Sequence, residues 1–316
     1  MERTRTETSR KVGARLVGSA ITLLLAAPLS LAGAAPASAG TLDHIRETGQ
    51  IRLGYRADAR PLSFKDETGQ PAGYSVALCQ RVVDAVKAEL GLAQVNVVWV
   101  PVTVEYRFKA VQQGEVDLLC GAETVTLARR QEVDFSIPVF PGGIGALLRA
   151  DASPRLKDTL SGRAAEFRPT WRASAGQILQ AKNFSVVKGT TAEKWLAGKM
   201  GEFHVLTEMA PVDSYDAGVQ RLLERKSDVF FGDRALLLGA AARSPAAKDL
   251  VVLDRYFTIE PIALGLARGD EDFRLAVDRA LSRFFASGQL GDLYSKWIGE
   301  PEENTLLFFE MSAQPE

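Results

Sequence analysis

The chain reads as an α/β protein in two lobes, each a mixed, mostly parallel sheet flanked by helices. Short β-rich runs alternate with amphipathic helical runs twice along the sequence, the pattern of βαβ units. Pro138, Pro141, Gly142 and Gly143 interrupt the alternation near its middle, where a linker between lobes would fall. The length, 316 residues, suits about two domains' worth of core.

In the first run, 51–55 predicts a strand and 76–90 a helix with the stripe Val76, Cys79, Val82, Val83, Val86 and Leu90. A strand over 95–100 follows, then a helix over 104–113 that Gly114 closes at the C′ position, then a strand over 116–120. The second run opens with a strand over 184–188 and a helix start at Gly189-Thr190-Thr191-Ala192-Glu193, with Thr190 and Glu193 at capping-box spacing. A helix over 215–225 and strands over 228–231, 250–253 and 262–267 come next. The 270–287 helix puts Phe273, Val277, Leu281 and Phe284 on one face and stops at Gly288. A last helix carries Leu290, Leu293, Tyr294 and Trp297. The stretch 151–181 is rich in Arg, Ser and Ala without clean periodicity and reads as a surface excursion.

Composition excludes several classes. The 38 basic and 39 acidic side chains nearly cancel, and no long basic run offers a footprint for nucleic acid. Two histidines, His44 and His204, and two distant cysteines, Cys79 and Cys120, argue against a zinc cage. No Gly-x-Ser-x-Gly elbow, phosphate loop or His-Glu-x-x-His is present, so neither cofactor nor metal is expected.

The first 39 residues look like a leader. Arg3, Arg5, Arg10, Lys11 and Arg15 precede a mostly apolar, uncharged stretch over 16–35, and Ala37-Ser38-Ala39 fits a small-x-small cleavage site before Gly40. The alternative is an uncleaved anchor long enough to span a bilayer. Pro28 and the small residues favour a signal peptide over 1–39, cut after Ala39, and a periplasmic mature chain. Its loss takes the net charge from −1 to −4. In an oxidising compartment Cys79, on a helix stripe, and Cys120, at a strand end, can form a disulfide; two buried thiols are the alternative.

The richest segment for chemistry is Cys120-Gly121-Ala122-Glu123-Thr124-Val125-Thr126-Leu127-Ala128-Arg129-Arg130, then Val133-Asp134-Phe135-Ser136-Ile137-Pro138. A strand ending at Cys120 and a small helix beginning after Thr126 would expose unpaired N–H groups beside the Thr124 hydroxyl and the Arg129 fork. Together these make a cradle of carboxylate size. A surface turn with a capping threonine and a solvated arginine is the bland alternative.

This run resembles the Thr-x-Thr-x-x-Arg and Phe-Ser-x-Pro signature of amino-acid-binding proteins of ABC importers, the family-3 solute-binding proteins. The resemblance spans about 42–310. It includes Gly54, Pro61-Leu62-Ser63-Phe64, Gly73-Tyr74-Ser75, Gly114-Glu115-Val116-Asp117, Val187-Lys188-Gly189-Thr190-Thr191, Gly232-Asp233 and Tyr294-Ser295-Lys296-Trp297. It implies the type II periplasmic-binding-protein fold, with one lobe over 40–140 plus 260–316, the other over 141–259, and two hinge strands near 139–143 and 258–262. Carried over residue by residue, it makes Arg129, Thr124 and Thr191 α-carboxylate binders and Asp233 the α-ammonium acceptor. Arg56 and Arg107 match the arginines that clamp a side-chain carboxylate in glutamate/aspartate binders, and the ending Leu306-Leu307-Phe308-Phe309-Glu310 resembles that subgroup's tail. Two unpaired guanidiniums favour glutamate, aspartate or a polar neighbour such as glutamine. Ala59 departs from the family where an aromatic stacks on the ligand, and Phe64 or Tyr55 is expected to compensate. The implied protein is a monomer that binds a free amino acid and delivers it to an inner-membrane ABC permease, and is not an enzyme. An exported dehydratase-like enzyme and a soluble ligand-sensing partner of a receptor are the alternatives.

Overall fold

The computed structural model describes residues 40–162, 175–207 and 209–315. The leader expected over 1–39, and Arg163, Arg168, Trp171 and Arg172 of the excursion, lie outside the described residues.

The first half opens with α1 (Thr41–Thr48) and β1 (Gln50–Tyr55). A small antiparallel sheet of β2 (Asp58–Ala59), β3 (Ser63–Lys65) and β4 (Pro71–Ala72) leads into α2 (Tyr74–Glu89). Then come β5 (Asn96–Pro101), α3 (Arg107–Gln112), β6 (Leu118–Thr124), a 3-10 turn at Arg129–Gln131 and β7 (Asp134–Gly142). The chain passes directly into β8 (Ile144–Arg149), α4 (Pro154–Ser161), α5 (Ala175–Gln180), β9 (Phe184–Val187), α6 (Thr191–Glu202) and β10 (Met209–Val212). It continues through α7 (Tyr215–Leu223), β11 (Val229–Asp233), α8 (Arg234–Arg243) and β12 (Leu250–Val252). It returns on β13 (Glu260–Leu266) and closes with α9 (Glu271–Ala286), α10 (Leu290–Trp297) and α11 (Glu303–Ser312).

Two five-stranded sheets result, ordered β5-β1-β6-β13-β7 and β10-β9-β11-β8-β12. Each is mixed in the same way. The βαβ units supply the parallel pairs β1–β5, β1–β6, β9–β10 and β9–β11. β13 runs antiparallel to β6 and β7, and β8 antiparallel to β11 and β12.

The Pro/Gly cluster is not the open linker its composition suggests. Pro138 and Pro141 sit within β7, an edge strand, where a missing N–H costs no ladder bond on the open side. The crossing is confined to Gly142–Gly143, and a Cβ on Gly143 would stand 2.2 Å from the Thr258 carbonyl oxygen of the returning chain. Glu260 pairs with Gly142 and Pro261 with Pro141, so the two crossings lie side by side.

Strand β6 runs past Cys120 to Thr124 because β13 pairs with its end, Ala263 beside Glu123 and Ile262 beside Thr124. Its alternation packs Leu118 and Cys120 into the core that α2 covers and Leu119 into the one α3 covers. Cys79 of α2 and Cys120 form a disulfide with Cα atoms 6.0 Å apart. The 104–113 helix is shorter than expected, Arg107–Gln112, but Gly114 takes the left-handed conformation with φ of 66°. Part of the 151–181 stretch is ordered helix: Ser153 caps α4, which buries Leu156 and Leu160. Helix α11 buries Phe309 against Phe285 and Tyr294.

Candidate ligand-binding site

The first sheet brings three arginines to the carboxyl ends of its strands, where open α/β sheets bind ligands. Arg56 follows β1, Arg107 begins α3, and Arg129 opens the turn after β6. Arg129 donates from Nη1 to the Thr124 carbonyl oxygen at 2.8 Å. The Phe108 ring centre lies 4.2 Å from the Arg107 guanidinium carbon and 5.2 Å from that of Arg129, so one ring contacts both cations. Burial pulls the Arg129 guanidinium down to about 10, aided by the Arg107 charge and opposed by Glu123, Glu260 and Glu132. It is still a cation at neutral pH.

Arg56 and Arg107 are not bare. Asp58 accepts from Arg56 Nε at 2.7 Å and from Nη2 at 2.9 Å, a bidentate pair. Glu123, fully buried, accepts from Arg107 Nε. Burial alone would lower Arg56, but the Asp58 bond and charge, with Glu123, hold it above its ordinary value. The expectation of two unpaired guanidiniums is therefore overturned.

The second sheet contributes through helix starts. Gly189 takes φ of 73°, Thr190 caps α6 by accepting from the Glu193 N–H, and Glu193 accepts from the Gly189 N–H at 2.8 Å. Thr191 is the first helical residue, and its hydroxyl donates to Glu260 at 2.6 Å. Asp233 ends β11 and caps α8, accepting from Ala235 and Leu236 N–H groups and, on its other oxygen, from Gly143 N–H at 3.3 Å. Burial lifts its carboxyl to about 6 against those backbone bonds, and the Glu260 charge adds to the rise.

Two residues that the sequence did not single out tie the halves together. Glu260, on the returning crossing, accepts from Thr191 and Thr258 hydroxyls and acts on both Arg129 and Asp233. Tyr215, at the start of α7, accepts from the Asp233 N–H at 3.0 Å and feels Arg56 and Asp58 across the interface. Arg129 and Asp233 thus share one electrostatic neighbourhood, with Thr124, Thr191, Arg56 and Arg107 around it. Phe64 pairs in register with Asp58, the Arg60 guanidinium stacks 3.6 Å from its ring centre, and Trp297 meets it edge-on at 5.8 Å. Tyr55 packs edge-on to Trp99. Among the described residues no cluster of three metal-ligating side chains occurs, and no helix is long and apolar enough to cross a membrane.

Two mixed sheets joined by paired crossings, with their strand ends and helix starts meeting between them, make the type II periplasmic-binding-protein fold. The model for bacterial extracellular solute-binding proteins, family 3, matches residues 51–300, and the chain belongs to that family. It is 32% identical to an L-glutamate/L-aspartate-binding protein of Pseudomonas aeruginosa, covering 89% of this chain and 87% of that one. It is 28% identical to a glutamate/aspartate import solute-binding protein of Escherichia coli (strain K12), covering 92% and 91%. Among solved structures, an ancestral amino-acid-binding protein described as a precursor of cyclohexadienyl dehydratase aligns with a TM-score of 0.66 at 26% identity, covering 82% of this chain and all of that one.

Proposed function

We propose that this protein captures a free amino acid between its lobes and delivers it to an inner-membrane ABC permease. The observation that carries the reading is that Glu260 acts on both Arg129 and Asp233, so a cation from the first sheet and a carboxylate from the second share one charged neighbourhood, as the two poles of a zwitterion require. Arg129, Thr124 and the N–H groups at the start of α6, with Thr191, take the α-carboxylate. Asp233 takes the α-ammonium, and the Arg56–Asp58 and Arg107–Glu123 pairs line the side-chain end. The lobes are 40–140 with 260–316, and 141–259, and ligand favours their closed arrangement by bonding to both. Charge-assisted bonds of about 1.5–3 kcal/mol each make micromolar or tighter binding the expectation.

Residues 1–39 direct export and are removed after Ala39, and the mature chain acts as a periplasmic monomer. It binds without turnover, because the charged groups of the site are committed to holding a zwitterion rather than moving protons. The fold neighbour that precedes a dehydratase makes turnover the outcome to check. Calorimetry of ligand-stripped protein against the common amino acids tests the reading: saturable one-to-one binding with unchanged ligand recovered afterwards is expected. No binding, or a ligand chemically altered on incubation, refutes it.

A further inference from the structure

Glu123 has no role in the scheme above beyond pairing Arg107, yet its surroundings are built around it. It is wholly buried at the end of β6, and one of its oxygens, Oε2, accepts from Arg107. The other, Oε1, is buried without a hydrogen-bond partner. It lies over Gly121, where a Cβ would stand 2.3 Å from Oε1, so the backbone leaves room for this carboxylate. Its charge also reaches Arg56 and Arg129.

The local charge count follows from these contacts. Asp58 pairs directly with Arg56 and Glu123 with Arg107, while Arg129 has only the more distant charges of Glu123, Glu260 and Glu132, which leaves its fork for the α-carboxylate of a ligand. A second ligand carboxylate beside these pairs would enter a region whose arginines are already matched and would feel the buried charge of Glu123. Like charges at close range in a desolvated site strongly disfavour one another. An uncharged amide brings no such charge. Its oxygen can accept from a guanidinium, and it brings no charge to meet that of Glu123.

We infer that Glu123 sets side-chain specificity by supplying from within the protein the anion that an acidic ligand would otherwise bring, so that the pocket prefers a neutral amide side chain to glutamate or aspartate. This rests on the amino-acid-binding reading and narrows it.

Calorimetry or competition binding with L-glutamine, L-asparagine, L-glutamate and L-aspartate, on the wild type and on Glu123→Gln, tests it. The wild type is expected to bind the better amide at least tenfold more tightly than either acid. Glu123→Gln keeps an oxygen for Arg107 but removes the charge, and is expected to shift the amide-to-acid ratio at least tenfold toward the acids. A wild type that prefers glutamate or aspartate overturns the inference and leaves the amino-acid-binding reading standing. A folded Glu123→Gln protein with an unchanged ratio overturns it as well. Should the variant fail to fold, the wild-type ratio alone decides. Absence of binding by any amino acid removes both readings.

Discussion

The two sides of the site are made of different materials. The first-sheet side is a set of long cations fixed by short-range partners: Arg56 by Asp58, Arg107 by Glu123 and Phe108, Arg129 by the Thr124 carbonyl and the same ring. The second-sheet side consists mostly of helix starts, backbone N–H groups and hydroxyls, with Asp233 and the helix-start Glu193 as its carboxylates among the residues named for the site. The first side has its geometry set before ligand arrives, which suits docking. The second is polar but lightly charged, and suits a partner that closes on a ligand already held. The lesson is that the two sides of a site need not be built alike to be complementary in charge.

Breaking the arginine-rich side is expected to have the largest effect. Arg129→Ala removes the free cation and should weaken every amino acid by about 2–5 kcal/mol, the range for truncating one partner of a desolvated charge pair; calorimetry reads it directly. The anchoring of that side can be tested next. The bridge joins α2 to the strand carrying Glu123 and Thr124 across a separation of 41 residues, and replacing both cysteines with alanine should cost about 3–4 kcal/mol of stability in the chain-entropy model. Denaturant melts with and without reductant measure it.

On the second side, Asp233→Asn should weaken amino acids by about 1.5–3 kcal/mol while leaving their deaminated analogues less affected. The same residue predicts a pH dependence. An ammonium needs the ionised carboxyl, so affinity should fall as pH drops below about 6, by about tenfold per unit at the limit. In the empty protein the sign for stability is the opposite. The folded value lies above the ordinary 3.8, so the protonated form stabilises the fold at low pH and this contribution is lost as pH rises through about 6. Asp233→Asn should flatten both profiles. The smallest effect is expected at Thr191→Val, about 1 kcal/mol, because one hydroxyl bond to Glu260 is lost while the helix start remains.

The parts of this molecule that depend on local chemistry were readable from its residues. The βαβ runs, the Thr190–Glu193 cap, the left-handed turn at Gly114 and the Cys79–Cys120 bridge all follow from spacing, periodicity or compartment. What escaped depends on distant partners. β7 hid behind its prolines, because only the edge position supplied by β13 makes them acceptable. α8 is Ala- and Leu-rich without a clear stripe, so periodicity does not announce it. In the site, arginines and Asp233 were visible as charged residues at strand ends, but Asp58, Glu123 and Glu260 acquire meaning only through the groups they face. Glu123 lies inside the Cys120–Arg130 run, and the signal it offers is an acidic residue near the end of the otherwise apolar strand Leu118–Thr124. Without it, a matched cluster reads as a surplus of positive charge.

The side-by-side pairing of Glu260 with Gly142 and Pro261 with Pro141 has a practical consequence. Two connections bonded to each other form one narrow band, and if the proposed closure runs through it, bending of that band is the motion to look for. One pair of fluorophores, on α2 and α6, would then report occupancy as a change in energy transfer, and the band would make the proposed closure a ready-made gauge for ligand.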